Sequence, residues 1–125
     1  MTRRGPDALA KLRDYPSRTR HLVVGLMTGT SADGIDAALV RLNGAADASP
    51  TLVAYHETPL DADLRAEILD LASAESVTPE RLMRVDAEIG ERYAAAVLEL
   101  IERAGVDAAD VDAIGAHGQT VRHVP

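Results

Sequence analysis

Cysteine, phenylalanine and tryptophan are all absent from this 125-residue chain, and tyrosine occurs three times. Without cysteine there are no disulfides and no thiolate metal sites, a composition that fits a reducing compartment. Without Phe or Trp, the core must be assembled from Val, Leu, Ile, Ala and Met, and the composition argues against a base-stacking platform for single-stranded nucleic acid. No apolar run approaches the roughly 20 residues of a membrane-spanning helix. Histidines do not recur at the spacing of a ligand pair, which argues against a histidine metal site. A net positive charge is also missing: the formal balance is −7.

That charge is unevenly spread. Residues 1–20 carry six basic side chains against two acidic ones, leaving seven basic and eighteen acidic residues for 21–125. The acidic body argues against nucleic acid as the main partner. The basic arm lacks the apolar segment of a secretion signal and reads as a disordered extension, residues 1–20, ahead of a domain over 21–125. We therefore expect a soluble, cytoplasmic protein with no membrane partner.

From His21 the pattern turns apolar. HLVVGLM reads as a strand whose near-continuous hydrophobic run suits burial on both faces. Ile35–Asn43 and Thr51–Leu60 read as its antiparallel partners, joined through Gly, Asn, Asp and Pro-rich turns. Leu64, Ile68 and Leu71 then recur at helical spacing. A longer helix follows, with Thr78 as N-cap, Pro79 at the first helical position, an apolar stripe from Leu82 to Ile101, and Gly105 as the stop. The pairs Glu80/Arg84, Glu88/Arg92 and Glu99/Arg103 stand four apart on its wet side. A short strand near 112–116 closes the pattern, its approach through helices predicting parallel pairing.

Two loops carry more polar chemistry than turns require. In GLMTGTSADGID, residues 25–36, Asp33-Gly34 alone meets the positive-φ demand of a tight hairpin. The hydroxyls and open N–H groups of Thr28-Gly29-Thr30-Ser31 remain to be explained. Such groups can converge on a phosphate, with Asp33 and Asp36 near a nucleotide-borne Mg²⁺. A plain turn with a local Asp hydrogen bond is the other reading. In IGAHGQT, His117 sits between small residues after a strand's C-terminal end, where α/β sheets place ligands. Gln119 and Thr120 suit sugar hydroxyls or phosphate. A structural histidine is the alternative there. His56 and His123 have no supporting constellation.

With both loops quoted, GLMTGTSADGID at 25–36 and IGAHGQTVRHVP at 114–125, the chain resembles the N-terminal third of the anhydro-N-acetylmuramic acid kinases. These are bacterial sugar kinases of the acetate and sugar kinase, heat-shock cognate and actin superfamily. The resemblance implies an α/β, ribonuclease-H-like (actin-like ATPase) N-terminal lobe, incomplete, in the order β-β-β-α-α-β. It combines an antiparallel meander with one parallel strand. It further implies ATP and Mg²⁺, an anhydro amino sugar as substrate, and conversion of that sugar with water to N-acetylmuramic acid 6-phosphate in cell-wall recycling. Gly29, Thr30, Ser31, Ala32, Asp33, Gly34, Ile35 and Asp36 correspond to a nucleotide phosphate loop, and His117 to a substrate contact. Thr28 stands where the family commonly has serine. The family's catalytic aspartate belongs to a later motif, expected beyond Pro125, so no catalytic residue is assigned in this chain. The chain is expected to be an N-terminal portion, inactive by itself, with a homodimer considered for the full-length protein. A non-catalytic binding fragment and a hydrolase using Ser31 and His117 are the competing readings.

Overall fold

The computed structural model describes residues 8–44 and 48–122. Helix α1 (Ala8–Asp14) and a 3₁₀ turn at Tyr15–Ser17 precede β1 (Arg20–Thr28), β2 (Gly34–Asn43) and β3 (Thr51–Pro59). Helices α2 (Ala62–Ser73) and α3 (Pro79–Ala104) follow, then a 3₁₀ turn at Ala108–Asp110 and the short strand β4 (Ala113–Ala116). The sheet order is β3-β2-β1-β4, with β1 antiparallel to β2, β2 antiparallel to β3, and β4 parallel to β1. This is the expected β-β-β-α-α-β lobe with a meander and one parallel pair.

Alternation along the strands decides which face is core. Val24, Leu26 and Thr28 are buried and lie opposite Leu39, Ala37 and Ile35, which are buried too. Against this face pack Leu64, Ile68 and Leu71 of α2, and Val85, Ile89, Val97 and Leu100 of α3. Full burial of such a side chain contributes about 1.5–3 kcal/mol, so this interface is the main source of the domain's stability. The other face is open: Gly25 is exposed and Met27 is 49% exposed. The expectation that the first strand is buried on both faces is therefore corrected, because both long helices cover one side only.

The ends of α3 follow their sequence signals. Thr78 Oγ1 accepts a hydrogen bond from the Arg81 N–H at 3.3 Å, and Pro79 occupies the first turn. At the other end Gly105 adopts φ 65°, and its N–H donates to Glu102 O while that of Val106 donates to Ile101 O. These paired bonds satisfy carbonyls that the helix end would leave free.

The surface charges pair differently from the intrahelical expectation. Glu99–Arg103 forms at 2.8 Å, but Arg84 reaches Glu67 of α2 at 3.4 Å, and Arg92 reaches Asp61 at 2.6 Å. Arg81 grips Glu67 through two bonds, at 2.7 and 3.1 Å, and also bonds Asp70. Hydrogen bonds from Arg81 hold the Glu67 carboxyl below the usual carboxylate range. Arginines of α3 thus tie α2 in place, a geometry that one-helix spacing rules do not contain.

The segment read as a disordered extension carries ordered structure over 8–17. Residues 1–7 lie outside the described residues. Lys11 donates to the carbonyls of Ala109 and Val111, Arg18 forms two hydrogen bonds with Asp112, and Tyr15 stacks on His21 with ring centroids 3.8 Å apart. Its basic side chains find acceptors at the entry to β4, which outweighs the weak local helix propensity of so short a segment.

Candidate functional site at the strand ends

β1 and β4 run parallel, so their C-terminal ends, and the loops that follow them, emerge together. Backbone pairing reaches into the second loop: His117 N–H donates to Leu26 O at 3.0 Å. A side chain completes the link, since Gln119 Nε2 donates to Gly29 O at 3.2 Å and to Thr120 O at 3.0 Å. Both partners are carbonyls, which fixes the orientation of the Gln119 amide. Its Oε1 is buried with no hydrogen-bond partner among the described residues. The two loops singled out in the sequence, 90 residues apart, therefore form one constellation.

Within the first loop the structure sorts the residues. Gly29, Thr30, Ser31 and Asp33 are exposed, and Gly34 and Asp36 are half-buried, whereas Ala32 and Ile35 are buried in the core. Ala32 and Ile35 can offer a ligand backbone groups only. Thr28 is also turned inward: it is 4% exposed and its hydroxyl shares a hydrogen bond of 3.0 Å with the Tyr93 hydroxyl. The hydroxyl at this position thus anchors the loop to α3 and is not a free donor.

The backbone turn differs from the sequence expectation as well. Ala32 N–H closes a turn onto Gly29 O at 3.1 Å, and the left-handed residue is Ala32, at φ 50°. Gly34 does not supply the positive φ assigned to it. A Cβ at Gly34 would stand 3.0 Å from Thr58 O, so the close approach of β3 favours glycine there. A non-glycine residue in the left-handed region carries about 1–2 kcal/mol of strain, held here by the complete burial of the Ala32 methyl.

The acids of the loop are engaged. Arg65 of α2 donates to Asp33 Oδ1 at 3.1 Å and to Ser31 O at 3.2 Å, bracing the loop from the side. Asp36 Oδ1 accepts from the Tyr55 hydroxyl of β3, and this hydrogen bond raises the Tyr55 pKa. No group of three or more His, Cys, Asp or Glu suited to a metal occurs among the described residues. Asp36 Oδ2, which has no partner among the described residues, fits contact with a hydrated ion through water.

His117 is exposed, with Nδ1 3.3 Å from Gly118 O. It lies on the rim of a cavity of about 530 Å³ between the second loop and the first half of α3, whose wall includes Leu82, Met83, Asp86, Gly90 and Tyr93. That volume lies within the usual range for a small-molecule pocket. Leu82, assigned to the core stripe by its spacing, is instead 45% exposed at this opening. The contribution of α3 was missed by sequence reasoning, though one signal was available. Gly90 stands in the middle of a 26-residue helix, where glycine costs about 1 kcal/mol relative to alanine. A Cβ at Gly90 would meet nothing within 4 Å, so close packing does not require it. Ser31 and His117 share no hydrogen bond, leaving the hydrolase reading without its nucleophile–base contact. His56 bonds Glu99 at 3.1 Å. His123, Val124 and Pro125, the last of them the point beyond which the catalytic aspartate is expected, lie outside the described residues.

A family model described as anhydro-N-acetylmuramic acid kinase matches residues 21–125. Relatives carrying that name include one from Caldanaerobacter subterraneus subsp. tengcongensis, 43% identical over 115 residues, which cover 91% of this chain and 29% of the relative. One from Salinibacter ruber is 44% identical over 120 residues, covering 95% of this chain and 30% of the relative. One from Xanthomonas campestris pv. campestris is 47% identical over 105 residues, covering 83% and 28%. The chain thus spans less than a third of the length of these curated relatives. The match runs from the first residues of β1 through both loops, and the chain belongs to the anhydro-N-acetylmuramic acid kinase family.

Proposed function

We propose that the chain forms one wall of a sugar-kinase cleft, in which the first loop meets the phosphates of ATP and the second meets an anhydro amino sugar. The observation that carries this reading is the Gln119–Gly29 hydrogen bond, which sets a donor-rich turn beside a pocket of sugar size. Open N–H groups at Gly29, Thr30 and Ser31, with the two hydroxyls, suit the oxygens of a phosphate chain. His117 and Gln119 suit the hydroxyls and amide of the sugar, and Leu82 and Met83 its apolar faces.

The reaction proposed is hydrolytic phosphorylation of 1,6-anhydro-N-acetylmuramic acid, in the cytoplasmic recycling of cell-wall sugars. Water adds at C1 as the C1–O6 bond breaks, O6 takes the γ-phosphoryl group as its bond to the β-phosphate oxygen breaks, and ADP leaves. The proton lost by water requires a base. Asp33, paired with Arg65, and Asp36, bonded by Tyr55, are poor candidates, which favours a base from the family's later motif, beyond Pro125. Magnesium carried by the nucleotide supplies charge neutralisation, and Asp36 would approach it through water. Phosphoryl transfer depends on positioning by parts that surround both substrates, so this wall alone is expected to bind weakly and to turn nothing over. A homodimer is the assembly we consider for the full-length enzyme.

A chimera tests the proposal. Residues 21–125 are substituted for the aligned N-terminal part of the Salinibacter ruber relative, and ADP and sugar 6-phosphate are measured. Turnover that is lost with Thr30→Ala/Ser31→Ala supports the assignment. A folded chimera that binds neither ATP nor the anhydro sugar sinks it.

A further inference from the structure

The basic arm, unused by the cleft, meets the sheet at its opposite end. There Arg18, Arg20, His21 and Arg41, with Asp110 and Asp112, line a pocket of about 250 Å³. Asp112 occupies Arg18 through two hydrogen bonds, at 2.5 and 3.2 Å, and also accepts the Leu22 N–H at 2.9 Å. The other two guanidinium groups are different: neither Arg20 nor Arg41 forms an ion pair or side-chain hydrogen bond among the described residues. Leu22 pairs with Arg41 across β1 and β2, which makes Arg20, two residues earlier, the diagonal neighbour of Arg41 on the same face. The Cα atoms of such neighbours stand about 7–8 Å apart, within reach of two long arginine side chains that line one pocket, and each guanidinium fork can meet an oxyanion edge-on. The pocket sets three arginines against Asp110 and Asp112, a formal local balance of +1 in a chain of 20 acids and 13 basic side chains, and a locally positive cleft favours anions.

We infer that this pocket is a second anion site, taking a phosphate group, held by Arg20 and Arg41 with His21 in its lining. It is separate from the first loop: Thr28 follows Arg20 by eight steps along β1, about 26 Å at strand rise. Arg18 and Asp112 position the wall and leave the other two arginines for the ligand. The pocket takes either free phosphate or the phosphate of a small metabolite, since its chemistry is common to both.

Amide ¹H–¹⁵N spectra of the whole chain, titrated with inorganic phosphate and separately with glucose 6-phosphate, provide the test, with sodium chloride at matched ionic strength as control. Saturable shifts at Arg20, His21 and Arg41 are expected. Tighter binding of glucose 6-phosphate would identify a metabolite site, and equal binding a free-anion site. Arg20→Gln/Arg41→Gln should weaken binding about tenfold or more without changing the thermal midpoint, because neither side chain supports the fold. Shifts reproduced by chloride, no saturable shifts at these amides, or unchanged affinity in the double variant would overturn the inference. Any phosphate response at Gly29–Ser31 is read independently, so this site and the cleft stand or fall separately.

Discussion

Replacing Tyr93 by phenylalanine removes one oxygen from beneath the first loop and leaves another without its partner. Tyr93 and Thr28 are 7% and 4% exposed, and their hydroxyls share a 3.0 Å hydrogen bond. A buried hydroxyl left unpaired costs about 1–3 kcal/mol. For 125 residues, at about 2.1 cal/mol/K of unfolding entropy per residue, that lowers Tm by about 4–11 °C. Thr28→Val strands the Tyr93 hydroxyl in the same way and should have a similar effect. The double variant removes both polar atoms while keeping the shapes, so it should lose much less than the sum of the singles, giving a coupling of about 1–2 kcal/mol. Urea unfolding followed by far-ultraviolet circular dichroism measures all four proteins, and the absence of Trp makes that the natural probe. Strict additivity would refute the reasoning, because it would mean that the two hydroxyls are satisfied independently.

Three further outcomes follow from the same geometry. Burial tends to raise the Asp112 pKa, but hydrogen bonds from Arg18 and the Leu22 N–H, with the charges of Arg18 and Lys11, outweigh it and hold the group below the ordinary value. A depressed folded pKa contributes stability above the unfolded value and loses it as pH falls through the folded one, so this part of the acid sensitivity lies below about pH 4. Asp112→Asn should cost about 1.5–3 kcal/mol at neutral pH and flatten that acid limb in pH-dependent urea titrations. Gly90→Ala should raise stability by about 0.5–1 kcal/mol in thermal unfolding while weakening ligand binding in the cavity, because the new methyl projects into open space. Ala32→Gly should stay within about 1 kcal/mol of the parent, relief of the positive φ offsetting the lost methyl. Ala32→Val should lose about 3 kcal/mol or more, since a β-branched residue fits neither that backbone nor that fully buried site. Chemical denaturation of the two Ala32 variants checks both values.

Much of the architecture was readable because it rests on local rules. Thr78, Pro79 and Gly105 mark the ends of α3 through backbone chemistry that needs no tertiary context. Alternation along β2 places Ile35, Ala37 and Leu39 on one core face. What escaped was set by partners distant in sequence. Within β1 the stretch Leu22–Met27 has no polar side chain, so alternation could not reveal that Met27 faces out. Arg84 and Arg92 had good partners four residues away and chose Glu67 and Asp61 on neighbouring structure. Gly34 looked like a turn glycine, yet its role comes from the nearby carbonyl of Thr58. Both site loops were visible as motifs, but the Gln119–Gly29 bond and the α3 wall of the cavity depend on how β4 docks beside β1.

The central claim is a division of labour between adjacent loops, and ligand-resolved amide shifts test it most directly. The chain is titrated with a non-hydrolysable ATP analogue plus magnesium, and in a second series with the anhydro sugar. The nucleotide should move the amides of Gly29, Thr30 and Ser31, and the sugar those of His117, Gln119 and the Met83–Gly90 stretch of α3. If the nucleotide shifts appear on the His117 loop instead, or neither ligand perturbs these segments, the account of the cleft is wrong.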